Sequence, residues 1–216
     1  MYNSATLVSS RGEGVLAGDK VPPVPFYEGT PATPLERLMA RYMRWPGRFR
    51  QGERPGIAWI ERAGAAPLPV GVVICLDSSY PGLVRELRQR GARLLVEISN
   101  EALTGEWSAV QHALVTRMRA VESGLPVVRV GNSGPSEWID PSARVIARLM
   151  PGAAAAGTAT VPLAGPPPPY VFLGDGPAFA VGLLPAFVLL ASRRRAGSTH
   201  RARRLDHRSL DKETCS

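Results

Sequence analysis

The stretch PVGVVICLDSSYPGLVRELRQRGARLLVEIS, Pro69 to Ser99, decides the fold because it contains a strand, a helix and a strand in direct succession. The apolar run that ends at Cys75 predicts a buried strand. The segment that begins at Pro81 and stops at Gly91 has the ends that helices prefer. Ala92 to Ser99 predicts the next strand. This alternation indicates an α/β protein.

The flanking segments extend the alternation. Strands are predicted over Ser4 to Ser10 and over Gly56 to Ala63, and the second of these forms a hairpin with the strand that ends at Cys75. A helix is predicted over Leu35 to Met43, and a long proline-rich loop precedes it. A strand after residue 124 and a β-hairpin that ends at Leu149 complete the pattern.

Residues 106–124 predict a second long helix. Five apolar residues recur at helical spacing and should form its packed face: Trp107, Val110, Leu114, Met118 and Val121.

Composition limits the class of protein. The chain has 216 residues, enough for one domain with a real core, and its net charge is +8. Residues 193–216 contain seven Arg and one Lys against three acids, so +5 of this charge lies in the tail. The tail has no aromatic residue on which bases could stack, which argues against a nucleic-acid partner.

The C-terminal third differs from the rest. Residues 1–163 form the predicted α/β body, and residues 164–169 are a proline-rich linker. Residues 170–192 are long and apolar enough to cross a bilayer, and the arginines that follow predict a cytoplasmic tail over 193–216. The body would then lie on the outer side of the membrane. The alternative is a buried core helix or hairpin over 170–192.

Cys75 is the candidate for chemistry. A thiol at a strand end lies where neighbouring loops can supply a base and oxyanion donors, which is typical of a nucleophile. The alternative is a packed core thiol, because free cysteine is often buried. No histidine is placed to form a Cys–His pair, and His112 is interpreted as a residue on the flank of its helix.

Several motifs in one order resemble the carbon–nitrogen hydrolase (nitrilase) superfamily, and among its members the apolipoprotein N-acyltransferase family. They are YNSA near the start, DKVPPVPFYEG, the strand end GVVIC, SNEALTG, QHALVTRMRAVESG, LPVVRVGNSG and finally YVFLGDGP. The resemblance extends from Tyr2 to about Ala191. It implies the C-terminal part of an α-β-β-α sandwich, followed by one transmembrane helix.

The resemblance also implies roles for residues. Cys75 matches the nucleophile, Lys20 matches the lysine that stabilises the oxyanion, and Glu28 matches the glutamate that holds that lysine; a solvated loop pair is the alternative for the last two. The family's catalytic base is a glutamate that precedes the lysine, and no residue of this sequence can be assigned to it. The resemblance implies no cofactor and no metal ion.

The family motifs also indicate a substrate pocket. Leu76 and Asp77 stand where the family has Tyr and Glu, and Asn100 opens the SNEALTG loop. We therefore expect Leu76, Asp77 and Asn100 to contact substrate. In the SNEALTG loop, Leu103 and Thr104 replace the family's aromatic pair. In the DKVPPVPFYEG loop, Tyr27 replaces a glycine that precedes Glu28 in the family.

The implied function is acyl transfer at the bacterial inner membrane, with the α/β body on the periplasmic side. A phospholipid would give an acyl chain to Cys75 as a thioester, and the N-terminal amine of a lipoprotein would accept it. An upstream-encoded N-terminal half is a further expected partner. The alternatives are an amidase-type carbon–nitrogen hydrolase and a truncated or inactive half-domain.

Overall fold

The structure is a computed structural model, and it describes residues 1–24, 28–29, 33–42, 49–102, 105–152 and 154–185. The chain divides into two compact units, Met1–Phe172 and Leu173–Ser216. The first unit contains the predicted α/β body. Leu103, Thr104 and Tyr27, which depart from the family motifs, lie outside the described residues, as does the tail over 193–216.

The first unit contains eight strands in its described part. Strands β1 (Ser4–Val8) and β2 (Gly14–Asp19) form an antiparallel pair, and β1 lies within the strand predicted over Ser4 to Ser10. The other six form one sheet in the order β3-β4-β5-β6-β7-β8. Their bounds are β3 Gly56–Arg62, β4 Ala65–Ile74, β5 Leu94–Ser99, β6 Val127–Gly131, β7 Ser136–Ile139 and β8 Val145–Leu149.

The six-stranded sheet is mixed. Strands β4, β5 and β6 are parallel to one another, and the remaining neighbours are antiparallel. The predicted hairpin between β3 and β4 is confirmed, although β4 begins at Ala65 and the turn is therefore tighter than expected. The parallel centre follows from the helical crossovers, because parallel strands need long connections. An α/β fold with a mixed sheet is thus confirmed.

The helices of this unit are α1 (Pro34–Tyr42), α2 (Pro81–Gln89) and α3 (Gly105–Ser123). A 3-10 turn, Cys75–Ser79, connects β4 to α2. The predicted helices over 81–91 and 106–124 are confirmed in position. In α2 the buried residues are Val84 and Leu87, which pack on the sheet.

The two faces of the sheet carry different cores, because successive side chains of a strand point to opposite faces. One core joins the helices to the sheet and contains Val73, Leu87, Leu95, Ala120 and Val127 among its buried residues. The other joins the sheet to β1 and β2. The described part therefore shows a helix layer, the large sheet and the β1–β2 pair.

The two β layers approach most closely at Gly18 and Gly56. A Cβ atom on Gly56 would lie 1.8 Å from the backbone oxygen of Ala17, so no larger residue fits there. This contact fixes how the β1–β2 pair sits on the sheet, and Lys20 follows directly after β2.

The predicted packed face of α3 is wrong. Its five apolar residues are exposed, from Val110 at 41% to Trp107 at 83%. The buried residues lie on the opposite side of the helix and are mostly small or polar: Ala109, Ala113, Thr116, Arg119, Ala120 and Ser123. Small side chains allow the helix backbone to approach its neighbours, and the polar ones enter a buried network described below.

The predicted linker begins inside the core, because Ala164 is buried there and its N–H donates to the Arg93 carbonyl at 3.3 Å. Helix α4 (Pro169–Leu173) follows, and Gly174 has a positive φ of 53°.

The second unit is described from Leu173 to residue 185 and is helical over 176–185. Residues 186–192 of the predicted transmembrane span lie outside the described residues. Within the described part of the chain, no helix has the length and apolar character that a membrane crossing requires.

Candidate active site

Cys75 lies where β4 ends and the 3-10 turn begins. The run from Val70 to Ile74 is β-branched or small and forms a buried strand, and Cys75 then takes a left-handed backbone conformation with φ of 51°. Such a conformation costs about 1–2 kcal/mol for a residue other than glycine, and strain of this kind clusters at functional sites. Cys75 is a half-buried free thiol.

Lys20 and Glu28 form a buried ion pair, with 2.5 Å between Nζ and Oε2. The Asn3 side chain donates to Glu28 Oε1 at 3.3 Å, and the Val24 N–H donates to Oε2 at 2.9 Å. Gly52 N–H also donates to the Lys20 carbonyl at 2.8 Å. Burial argues against the alternative of a solvated loop pair.

A cavity of about 350 Å³ lies between Glu28 and the carboxyl ends of the parallel strands, and Lys20 is not among its lining residues. Its size is within the usual range for a small-molecule site. Three of the predicted site residues line it, namely Cys75, Glu28 and Asn100. The remaining lining residues are Asn3, Ile74, Ile98, Ser99, Val130 and Asn132.

A hydrogen bond joins the two asparagines that line the cavity. Asn132 Nδ2 donates to Asn100 Oδ1 at 2.8 Å, and Asn132 Oδ1 accepts from the Glu101 N–H at 3.0 Å. Asn100 follows β5 and Asn132 follows β6. They therefore stand at the carboxyl ends of parallel strands, where α/β sheets bind ligands.

Asp77 is buried in the framework instead of lining the cavity. Its carboxylate accepts from the Val21 N–H at 3.1 Å and from the Ile74 N–H at 2.9 Å. Burial raises the pKa of Asp77 to about 6, against the lowering effect of these two hydrogen bonds and of the Lys20 charge. Leu76, the other predicted substrate contact beside Cys75, is half-buried and is not among the residues that line the cavity.

His112 is the residue whose position differs most from the prediction. It does not lie on the flank of α3, because its side chain is only 12% exposed and reaches the turn of Cys75. Nε2 lies 2.8 Å from Ser78 Oγ and 3.1 Å from the carbonyl oxygen of Cys75, and Nδ1 lies 2.9 Å from Glu101 Oε1.

A buried charge network surrounds His112. Arg129, fully buried in β6, donates to Glu101 Oε1, and Glu97 in β5 accepts a hydrogen bond from Thr116. Charged residues inside otherwise apolar strands were the sequence signal for this network.

The two carboxylates of the network have opposite pKa shifts. Burial raises the pKa of Glu97, although Arg129 and His112 oppose it. Burial also opposes ionisation of Glu101, yet the hydrogen bond from His112 and the charge of Arg129 bring its pKa below the ordinary value. Glu101 is therefore the carboxylate that stays charged beside His112.

The sequence comparisons identify the family. Residues 1–165 match the carbon–nitrogen hydrolase family. The chain belongs to this family. It is also similar to the apolipoprotein N-acyltransferase of Bradyrhizobium diazoefficiens, with 36% identity over 92% of this chain and 36% of the relative. A second relative, the apolipoprotein N-acyltransferase of Ralstonia nicotianae, shows 34% identity over 91% of this chain and 37% of its own length.

The chain thus spans about a third of the length of these relatives. Among solved structures, an amidase from Nesterenkonia sp. aligns with 68% of this chain and 50% of its own, at 22% identity and a TM-score of 0.49. Within the described residues, no group of three or more His, Cys, Asp or Glu side chains is arranged to hold a metal ion.

Proposed function

We propose that this carbon–nitrogen hydrolase chain carries the nucleophile of an N-acyltransferase of the apolipoprotein type. The Cys75 thiolate attacks the carbonyl carbon of a phospholipid ester, a C–S bond forms, and the C–O bond breaks to release the lysophospholipid alcohol with a proton. The amine at the N-terminus of a lipoprotein then attacks the thioester. A C–N bond forms, the C–S bond breaks, and the thiol is regenerated.

The observation that carries this proposal is the placement of Cys75. Its strained backbone holds the thiol at a cavity that Glu28 also lines, and Glu28 binds Lys20. The Lys20 ammonium would stabilise the oxyanion that develops on the ester carbonyl, and Glu28 would hold the lysine in place. The 36% identity to an apolipoprotein N-acyltransferase supports acyl transfer as the reaction class.

The cavity wall fits an acyl substrate. Ile74, Ile98 and Val130 supply apolar surface near Cys75, and Asn100 and Asn132 supply amide groups on the same cavity. The apolar side chains would contact the acyl chain, while the amides would contact the polar ester or the incoming amine.

The general base belongs to another part of the protein in this proposal. By the resemblance, a glutamate that precedes the lysine takes the proton from the thiol. The relatives are almost three times as long as the matched region. We therefore propose that a preceding segment, encoded upstream, completes the site.

Both substrates of this reaction are membrane lipids or lipid-anchored proteins. A membrane anchor over residues 170–192 would keep the site at the bilayer surface, with the α/β body on the periplasmic side of the inner membrane and the tail in the cytoplasm. The uncharged run from 176 to 191 and the arginines at 193–195 support this topology.

The test is detection of the acyl-enzyme in protein purified from membranes. We expect an acyl adduct on Cys75 in intact-mass spectra, and neutral hydroxylamine should remove it because thioesters are labile to this reagent. Cys75→Ser should lose both the adduct and acyl transfer, while Cys215→Ser, which changes the other cysteine, should keep both. Activity of the Cys75→Ser variant, or an adduct that is absent from the wild type, would refute the proposal.

A further inference from the structure

Cys75 depends on a conformation that the chain does not favour. A residue with a side chain rarely adopts a φ of 51°, so neighbouring groups must hold the turn in place. Within the turn, Ser78 Oγ donates to the Cys75 carbonyl at 3.2 Å. A second side chain that reaches this carbonyl oxygen is His112, from a different element, with Nε2 at 3.1 Å.

The His112 ring is itself held from the opposite side. Nδ1 is 2.9 Å from Glu101 Oε1, and Arg129 binds the same oxygen. Arg129 Nη2 is also 3.4 Å from Nδ1. Because Arg129 and Glu101 are both nearly inaccessible to solvent, this end of the ring is fixed by a buried ion pair.

Oxygen atoms lie close to both nitrogens of the His112 ring. On the Nε2 side lie the Cys75 carbonyl, Glu97 Oε1 at 3.3 Å and Ser78 Oγ at 2.8 Å. On the Nδ1 side the nearest atom is a carboxylate oxygen. Both ring nitrogens therefore have oxygen atoms within hydrogen-bond distance, and each end of the ring makes contacts of its own.

We propose that His112 is a positioning residue for the nucleophile. Through Nε2 it holds the carbonyl of Cys75 and the Ser78 hydroxyl, and through Nδ1 it ties this turn to the buried Glu101–Arg129 pair. The left-handed conformation that turns the thiol toward the cavity thereby gains support from β5, β6 and α3. This role rests on the proposed function of Cys75, but it concerns the turn and not the substrate.

Two amide variants separate the two ends of the ring. His112→Gln keeps an N–H donor near the place of Nε2 and loses the contact with Glu101. His112→Asn keeps a donor near the place of Nδ1 and loses the contact with Cys75. His112→Ala removes both, and Gln111→Ala on the exposed side of α3 is the matched control.

The first measurement is the burst of p-nitrophenolate from p-nitrophenyl butyrate, in a Cys215→Ser background and with the proposed upstream segment co-expressed. This ester needs neither a phospholipid nor a lipoprotein, so it reports on the thiol alone. We expect the burst rate to fall about tenfold in His112→Asn and His112→Ala, and to be largely restored in His112→Gln. Gln111→Ala should match the wild type.

The second measurement is hydrogen exchange of the backbone amides over residues 75–80, which requires no activity. We expect faster exchange in His112→Asn and His112→Ala than in His112→Gln, beyond what their melting temperatures explain. Equal exchange in the two amide variants would overturn the positioning role. If the wild-type protein shows no burst in the presence of its upstream segment, but shows the expected exchange pattern, the result would instead count against the proposed function and support the positioning of the turn.

Discussion

The carboxylate of Asp77 joins the two segments that carry the nucleophile and the lysine. It accepts from the N–H of Ile74, the residue before Cys75, and from the N–H of Val21, the residue after Lys20. One buried group thus sets the spacing between the thiol and the Lys20–Glu28 pair.

Asp77 predicts a pH-dependent stability. Its pKa is about 6 in the folded protein and 3.8 in the unfolded chain, so the folded state binds the proton more tightly. The contribution of Asp77 to the free energy of unfolding is therefore greatest below pH 4 and falls as the pH rises to about 6, by up to about 3 kcal/mol. Asp77→Asn should lack this fall. Urea unfolding from pH 4.5 to 7.5, followed by tryptophan fluorescence, measures the difference between the two curves.

Asp140 is a control for this prediction, because its pKa is shifted in the opposite direction to that of Asp77. A hydrogen bond from Ser142 lowers the pKa of Asp140 below its model-compound value of 3.8, so its stabilising effect is lost as the pH falls. Relative to the wild type, Asp140→Asn should therefore be less stable above pH 4, whereas the free energy of unfolding of Asp77→Asn should lack the fall between pH 4 and 6. Parallel wild-type and Asp77→Asn curves would show that Asp77 ionises in the fold as easily as in the unfolded chain.

At the residue scale, sequence motifs located Cys75, Lys20 and Glu28, and the structure brings Cys75 and Glu28 to one cavity. The local sequence was sufficient to find these three residues, because each lies in a short motif with a characteristic spacing. The His112 contacts could not be derived in this way. They depend on how α3 packs against the 3-10 turn, and no local pattern states which face of a helix packs inward.

Helix α3 illustrates the same limit at the scale of elements. Its helical extent follows from periodicity, but its larger apolar side chains face outward while alanines face the core. The small side chains allow α3 to lie close to the sheet. At this distance His112 reaches Ser78 and Thr116 reaches Glu97, and Ser78 in turn donates to Glu97. The hydrophobic pattern gave the period of the helix correctly and its orientation incorrectly.

Two neighbouring positions of α3 test this orientation. Leu114 is 49% exposed and Ala113 is 1% exposed. We expect Leu114→Gln to change the free energy of unfolding by less than about 0.5 kcal/mol. Ala113→Leu should overpack the helix interface and cost roughly 1–3 kcal/mol. Urea unfolding at pH 7 compares them, and a larger loss for Leu114→Gln would restore the orientation that the apolar spacing predicts.

The strands were more predictable than the helices' faces. The β-branched run before Cys75 and the alternation in β5 leave few other structures for these segments, and the hairpin of β3 with β4 follows from their short connection. The close approach of Gly18 and Gly56 could not be anticipated, because it joins segments that are distant in sequence.

At the scale of the whole molecule, the large sheet separates two cores, one on each of its faces. Its helix face buries the main apolar core together with the Glu97–Arg129 network, and its opposite face packs on the β1–β2 pair that leads to Lys20. Cys75 stands where these layers meet, at the end of a central strand. Its thiol can therefore be held by groups of the helix layer while it faces a cavity that Asn3 and Glu28 line from the other side.

The membrane anchor is the remaining prediction at this scale. Residues 176–191 carry no charge, and three arginines follow at 193–195. We expect the wild-type chain to stay in the membrane pellet after carbonate extraction. Val181→Arg, near the centre of the proposed span, should release a large fraction, because a central arginine costs about 2.5–3.5 kcal/mol on insertion scales. Ala191→Arg, beside the basic end, should be retained. Carbonate extraction of the wild type would contradict the anchor and favour a packed core element over residues 170–192.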